Sequence, residues 1–238
     1  MTKHVPNFIT LLNLLSGFAA TVLASKGYNE YAALLIIAGG IFDFCDGFAA
    51  RLLKSYSDIG KELDSLADVV TFGIAPGAIV LNLLTVSGMA TAPAFILASL
   101  IPAASALRLA KFNNDATQST SFRGLATPAS AFTVISFVIA SEYGKCSVCD
   151  TLTASSWFLG ALSVVLAVMM LVNIRMFSLK FSHLRWTGNK ERYLLAGISL
   201  LLLLFFRLAS PPLIMAAYIV ISLVFTAVRS TKTPPAAA

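Results

Sequence analysis

The sequence predicts an all-α integral membrane protein of about eight spans, and three observations lead there. The chain is 58% hydrophobic and only 12% charged, with a mean hydropathy of +0.84, outside the range of ordinary soluble domains. Its apolar residues fall into segments close to the roughly 20 residues that cross a bilayer, with short loops between them. Its basic residues collect in alternate loops, the pattern that orients membrane helices.

In chain order the segments run 8–25, 31–53, 63–84, 92–112, 127–141, 153–174, 192–208 and 211–228. The first follows Lys3 and His4 and ends near Ser25, which gives it the outline of a signal peptide. Asn7, Thr10 and Asn13 argue instead for a retained span. They recur every third residue and form a polar stripe that suits a helix facing a protein interior. The third segment carries its polar residues near its start, and Asp58, beside Ser57, is expected to cap it. Ser210, Pro211 and Pro212 break the chain between the seventh and eighth segments and predict a hairpin. Three parts follow: a membrane domain over 1–185, a transmembrane hairpin over 186–229, and a disordered tail over 230–238. The polar stretch 113–121 reads as a loop.

Of the 17 Lys and Arg, Lys26, Lys145 and Arg207 alone fall in loops opposite the N-terminus. Both termini and the 51–64 region are therefore expected on the cytoplasmic face. The net charge of +6 does not suggest nucleic acid, because basic and aromatic residues are nowhere interleaved. Cys45, Cys146 and Cys149 are too few for a disulfide framework and have no histidine cluster beside them, so no structural zinc is implied. Cys146 and Cys149, in an outer loop, read as two free thiols, with a structural or redox disulfide as the alternative.

The chemistry concentrates between residues 43 and 68. At about 100° per residue, Asp43, Asp46, Gly47 and Ala50 share one face of the second span. Asp64 and Asp68 share a face of the third, with Gly60 on the same stripe. Two carboxylate pairs can converge, and the small residues leave room for a bulky ligand. Each carboxylate at membrane depth costs about 3 kcal/mol to insert, less near the interface. Arg51 offsets one charge at most, so divalent cations are the natural partners, and all-oxygen ligands favour magnesium, manganese or calcium over zinc. Such a centre suits a phosphate-ester reaction in which a carboxylate deprotonates the nucleophile. A cation transporter is the alternative of another class, but the far halves of the spans hold no acidic residue, and Glu30, Glu142 and Asp150 lie in outer loops.

Asp43, Asp46, Gly47, Ala50, Arg51, Gly60, Asp64 and Asp68 stand at the fixed positions of the CDP-alcohol phosphatidyltransferase signature, and the chain resembles that family. The resemblance implies a six-helix catalytic core, here followed by two further transmembrane helices, in a homodimeric multi-pass protein of the bacterial inner-membrane type. It implies Asp43, Asp46 and Asp64 as ligands to Mg2+ or Mn2+, two ions in all, with Asp68 both at the metals and acting as general base. Gly47, Ala50 and Gly60 would then line the site for CDP-diacylglycerol, together with Asp43, Asp46, Arg51 and Thr10.

Within the family the chain is most like the membrane-embedded branch that accepts L-serine, through Pro6 to Thr10 with Asn13 and Gly17, through Leu107 to Asn113, and through Phe122 to Ala129. Ala126 departs from the branch, which commonly has proline there. The expected reaction yields phosphatidylserine and CMP. Other acceptors are the near alternatives: glycerol phosphate, inositol phosphate and choline. Serine carries a carboxylate, so Arg108, Lys111 and Arg123, at the cytoplasmic edge of the fourth and fifth spans, are the candidate serine ligands, and positive-inside anchoring explains them equally well.

Overall fold

The computed structural model describes residues 4–55, 57–114, 124–174, 176–177 and 189–230, with side chains omitted over 227–230. Helices α1 (Val5–Ser25) and α2 (Asn29–Leu52) form a hairpin. The turn between them needs the left-handed backbone that glycine supplies: Gly27 has φ of 87°, and its amide donates to the Ala24 carbonyl at 3.0 Å. One stripe of α1 is buried and small or polar, comprising Pro6, Thr10, Asn13, Gly17, Ala20 and Ala24. Phe8, Leu11, Leu15 and Phe18 point outward. The inward polar stripe expected from the sequence is present, and an apolar outer face is what a lipid-facing helix requires.

The third span is continuous from Asp58 to Val86, 29 residues long, but it is not one regular helix. It comprises α3 (Asp58–Asp68), a π-helical segment (Val69–Ile74) and α4 (Ala75–Val86). It starts earlier than hydropathy alone indicates because Ser57 caps it, its Oγ accepting from the Gly60 amide at 3.0 Å. Asp58 is therefore not the cap. It is the first helical residue, where its charge opposes the positive end of the helix dipole.

Next come α5 (Thr91–Asn114), α6 (Thr127–Glu142), α7 (Ser147–Thr153) and α8 (Ser156–Leu171). The last two meet at 81°, so the sixth apolar segment is a bent pair in which Ser155 caps the longer helix. Cys146 and Cys149 are disulfide-bonded at the start of α7, which overturns the free-thiol expectation. Their Cα atoms lie 5.1 Å apart, within disulfide range, because the pair straddles the first turn of a helix.

Helix α9 (Lys190–Phe206) ends at Arg207, whose φ is 48°. A single 3-10 turn follows, and α10 (Pro211–Ser230) begins on Pro211. The prolines thus open the second arm of the hairpin rather than stopping the first. Among the described residues, five helices are long and apolar enough to cross a membrane, or six if the bent pair is one span, and two shorter apolar helices cover 127–142 and 211–226. Each apolar segment of the sequence lies on one of these helices. The core is built from the π segment, α4, α5, α6 and α8, through Phe72, Ile79, Leu84, Ile101, Leu125, Ile135, Leu159 and Leu166. The C-terminal hairpin is docked on it, since α10 packs against α6 as well as α9.

Candidate active site

Asp43 projects from α2, and Asp64 and Asp68 project from α3. Each offers a carboxylate oxygen that lies within 4.8 Å of the others. Asp46, one turn beyond Asp43, stands slightly apart from this group. It is buried beside the Thr10 hydroxyl and the Gly47 amide, yet within electrostatic reach of Asp64 and Asp68. Two oxygens of the constellation, Asp46 Oδ2 and Asp64 Oδ1, are buried without a hydrogen-bond partner. Four mutually repelling carboxylates with orphaned oxygens are a costly arrangement unless a cation occupies the space between them.

The polar stripe of α1 meets this constellation residue by residue. Asn13 Nδ2 donates to Asp68 Oδ1 at 3.3 Å, Thr10 faces Asp46, and Asn7 Oδ1 lies 3.1 Å from where a Cβ on Gly60 would stand. Thr71, in the π segment, donates from Oγ1 to the Asn13 carbonyl at 2.9 Å. Its position depends on two glycines. A Cβ on Gly17 would stand 2.3 Å from Thr71 Oγ1, and one on Gly39 would stand 2.5 Å from Thr71 Cγ2. The three elements therefore approach closely around Thr71, and the π-helical turns begin immediately after Asp68. Widened turns of this kind re-aim side chains and are found at functional sites.

The other expected residues divide. Gly47 adjoins open space, since a Cβ there would meet nothing within 4 Å, and Ala50 is half-buried; both fit a ligand groove. Gly60 differs: a Cβ would crowd Ser57 Oγ at 3.0 Å and Asn7, so helix packing and capping already require glycine there. Arg51 is exposed and its Nε donates to the Gly47 carbonyl of its own helix at 3.0 Å. Arg108 is buried, donates from Nη1 to Thr127 Oγ1 at 3.1 Å and is attracted by Asp68. Lys111 is exposed, and Arg123 lies outside the described residues.

Two further sets of contacts tie the elements around the carboxylates together. Lys61 Nζ donates to the Asn113 carbonyl at 3.2 Å and Asn113 Nδ2 to Ser65 Oγ at 2.8 Å, so the end of α5 is tied to α3. Gly124, with φ of 76°, donates to the Ile174 carbonyl at 2.8 Å. A Cβ at Gly124 would come within 2.5 Å of the Met170 carbonyl. The turn that delivers Thr127 to Arg108 is thus stitched to the end of α8. The sequence does not single out Thr71, it includes Thr127 only within the Phe122 to Ala129 likeness, and it marks Asn13 as interior stripe and part of the resemblance without a role at Asp68. The spacing of Asn13 from Thr10 was the available signal for one of them; the others depend on contacts between distant elements.

A divalent ion holds its oxygen ligands at about 2.0–2.6 Å, so carboxylate oxygens gathered this closely, with unpartnered lone pairs among them, fit such an ion. The donor set is all oxygen, the preference of magnesium, manganese or calcium. The fold and site define a polytopic helical membrane protein with a carboxylate cluster able to hold a metal ion near one end of its spans. Residues 3–169 match the CDP-alcohol phosphatidyltransferase family, and the chain belongs to that family, which is generally dependent on a divalent metal.

Three relatives named CDP-diacylglycerol--serine O-phosphatidyltransferase illustrate the likeness. That of Bacillus subtilis is 37% identical over 131 residues, covering 53% of this chain and 70% of the relative. That of Saccharomyces cerevisiae is 35% identical over 156 residues, 59% of this chain and 54% of the relative, so the match spans about half of that longer protein. That of Helicobacter pylori strain J99 is 32% identical over 225 residues, 92% of this chain and 89% of the relative. Family membership leaves the transport alternative without support.

Proposed function

We propose that the protein transfers the phosphatidyl group of CDP-diacylglycerol to the hydroxyl of L-serine, giving phosphatidylserine and CMP. The observation that carries this is the convergence of Asp43, Asp64 and Asp68 on one point, in a chain whose relatives bear the serine transferase name. Asp43, Asp46, Asp64 and Asp68 would hold two ions, Mg2+ or Mn2+, which when bound neutralise the pyrophosphate and polarise the phosphoryl group under attack. The open face over Gly47 and Ala50 receives the cytidine diphosphate portion, with Thr10, Arg51 and Gly60 at its edges.

Asp68 is the general base. It is buried, and Asn13 fixes its orientation through one oxygen. The serine hydroxyl gives its proton to Asp68 as its oxygen forms the new bond to phosphorus, and the bond from phosphorus to the CMP oxygen breaks. CMP leaves with that electron pair. Arg108 is the serine ligand best supported by its surroundings: it is buried, attracted by Asp68, and has an unpartnered Nε. The exposed Lys111 and the undescribed Arg123 remain weaker members of the proposed pocket. The site faces the cytoplasm with both termini, as the loop charges require, and the protein works as a homodimer, as the resemblance implies.

The test is CMP release by purified protein given CDP-diacylglycerol, a divalent metal and a panel of alcohols. Serine is expected to support release; glycerol phosphate, inositol phosphate and choline are not. Release with one of those and none with serine would reassign the acceptor.

A further inference from the structure

Asn13 is tied to the third span at two points, and the two ties use different parts of the residue. Its side-chain Nδ2 donates to Asp68 Oδ1 at 3.3 Å, and its main-chain carbonyl accepts from Thr71 Oγ1 at 2.9 Å. Asp68 and Thr71 stand on either side of the point where α3 gives way to the π-helical segment. The contacts therefore close a ring that runs from Asp68 along the backbone to Thr71, across to the Asn13 carbonyl, and back through the Asn13 amide to Asp68. Asn13 and Thr71 are both completely buried, so water does not stand in for either bond. Asn13 Oδ1 has no hydrogen-bond partner among the described residues. The amide is thus held by Asp68 at its tip and by the α1 backbone at its root, and it orients Asp68 only as firmly as that backbone is registered against the third span.

Packing alone does not call for a hydroxyl at residue 71. Its Cγ2 fills the space that a Cβ on Gly39 would enter, at 2.5 Å, and its Oγ1 fills the space that a Cβ on Gly17 would enter, at 2.3 Å. Valine has the same shape and would occupy both spaces, but it has no proton to donate. A carboxylate that takes a proton from an incoming hydroxyl has to be held within about 0.5 Å of its productive position, and the hydrogen-bonded ring supplies that restraint. We propose that Thr71 is a positioning residue for the base. Its hydroxyl registers the π segment against α1, which fixes Asp68 relative to the Asn13 amide and aims the other carboxylate oxygen at the acceptor hydroxyl. The inference rests on the reading of Asp68 as general base and adds a residue that acts only through Asn13 and Asp68.

The experiment separates the hydroxyl from the volume of the side chain. Thr71→Val keeps the shape and removes the donor, whereas Thr71→Ser keeps the donor and removes Cγ2. The full chain in lipid nanodiscs, with saturating manganese, CDP-diacylglycerol and serine, gives kcat and both KM values, and thermal unfolding is followed beside them. Thr71→Val should lose about tenfold in kcat, the lower end of the effect of removing groups that orient metal-site carboxylates. Both KM values should stay close to wild type, the pattern of an interaction that counts in the transition state. Thr71→Ser should retain the wild-type kcat even though the missing methyl lowers its unfolding temperature. A role in packing alone predicts the reverse order, with Val active and Ser impaired, and that order would overturn the proposal; so would equal kcat in the two variants. If Thr71→Val does not fold, Thr71→Cys, of similar size and a weaker donor, takes its place and is expected to fall below Thr71→Ser in kcat, equality again overturning the proposal. Absence of serine-dependent CMP release in wild type would instead reject the underlying reading of the site, and the positioning role with it.

Discussion

Asp68 is the residue on which the proposed chemistry turns, since it is the one carboxylate proposed both to adjoin the metals and to act as base. Asn13 occupies one of its oxygens at 3.3 Å, and Asp43 and Asp64 crowd the space before it. Replacing Asp68 by Asn keeps the shape and removes the base, so kcat should fall by roughly a hundredfold or more while nucleotide binding changes much less. Asp43→Asn, Asp46→Asn and Asp64→Asn should instead remove metal and nucleotide binding together, because a neutral amide oxygen cannot replace a carboxylate among like charges. Titration of each purified variant with manganese, followed beside CMP release, separates these outcomes; near-normal activity in any of the four would remove the metal centre. Asn13→Ala should cost about ten- to a hundredfold in activity, the usual effect of losing a group that orients a metal-site carboxylate. A wild-type rate in that variant would show that Asp68 needs no such support.

At the scale of elements, the packing around Thr71 sets where Asp68 points. Gly17 and Gly39 press on Thr71 from two helices, but on different atoms. A Cβ at Gly17 would strike the Thr71 backbone as well as its side chain, with Cα at 2.6 Å and N at 2.8 Å, whereas a Cβ at Gly39 would meet Thr71 Cγ2 and, at 3.0 Å, Asn13 Oδ1. Gly17→Ala and Gly39→Ala should each destabilise by about 1–3 kcal/mol through overpacking. Thr71→Ser, which deletes Cγ2, should partly restore Gly39→Ala and leave Gly17→Ala unimproved. Thermal unfolding in detergent reads both, and equal rescue of the two would contradict the geometry. The π segment that makes this contact was not legible in the sequence. Val69 to Ile74 have no residue type that marks a widened turn, and the segment is held by partners on α1, α2, α5 and α6 that lie far apart in the chain. The aspartates, by contrast, were legible because helical periodicity alone puts each pair on one face and because their cost in lipid demands a partner. Ser57 outcompeted Asp58 as the cap for a local reason: the hydroxyl one residue earlier reaches the Gly60 amide.

For the whole molecule, composition defined a bundle of membrane-length apolar helices, and the described helices follow that outline. What composition could not give is the docking of α10 on α6, which depends on matching surfaces far apart in the chain. The orientation predicted from the loop charges has a direct check. A membrane-impermeant thiol reagent should label Cys146 and Cys149 in intact cells only after reduction, since they are bonded, and should not label Cys45. Labelling that requires lysis would invert the topology. The central claim, that the aspartate centre serves transfer to serine, is tested most directly by following CMP release from CDP-diacylglycerol when serine is added to the purified wild-type protein with magnesium or manganese present. Serine-dependent release is the expected result; no CMP on adding serine, in a folded preparation supplied with metal, would contradict it.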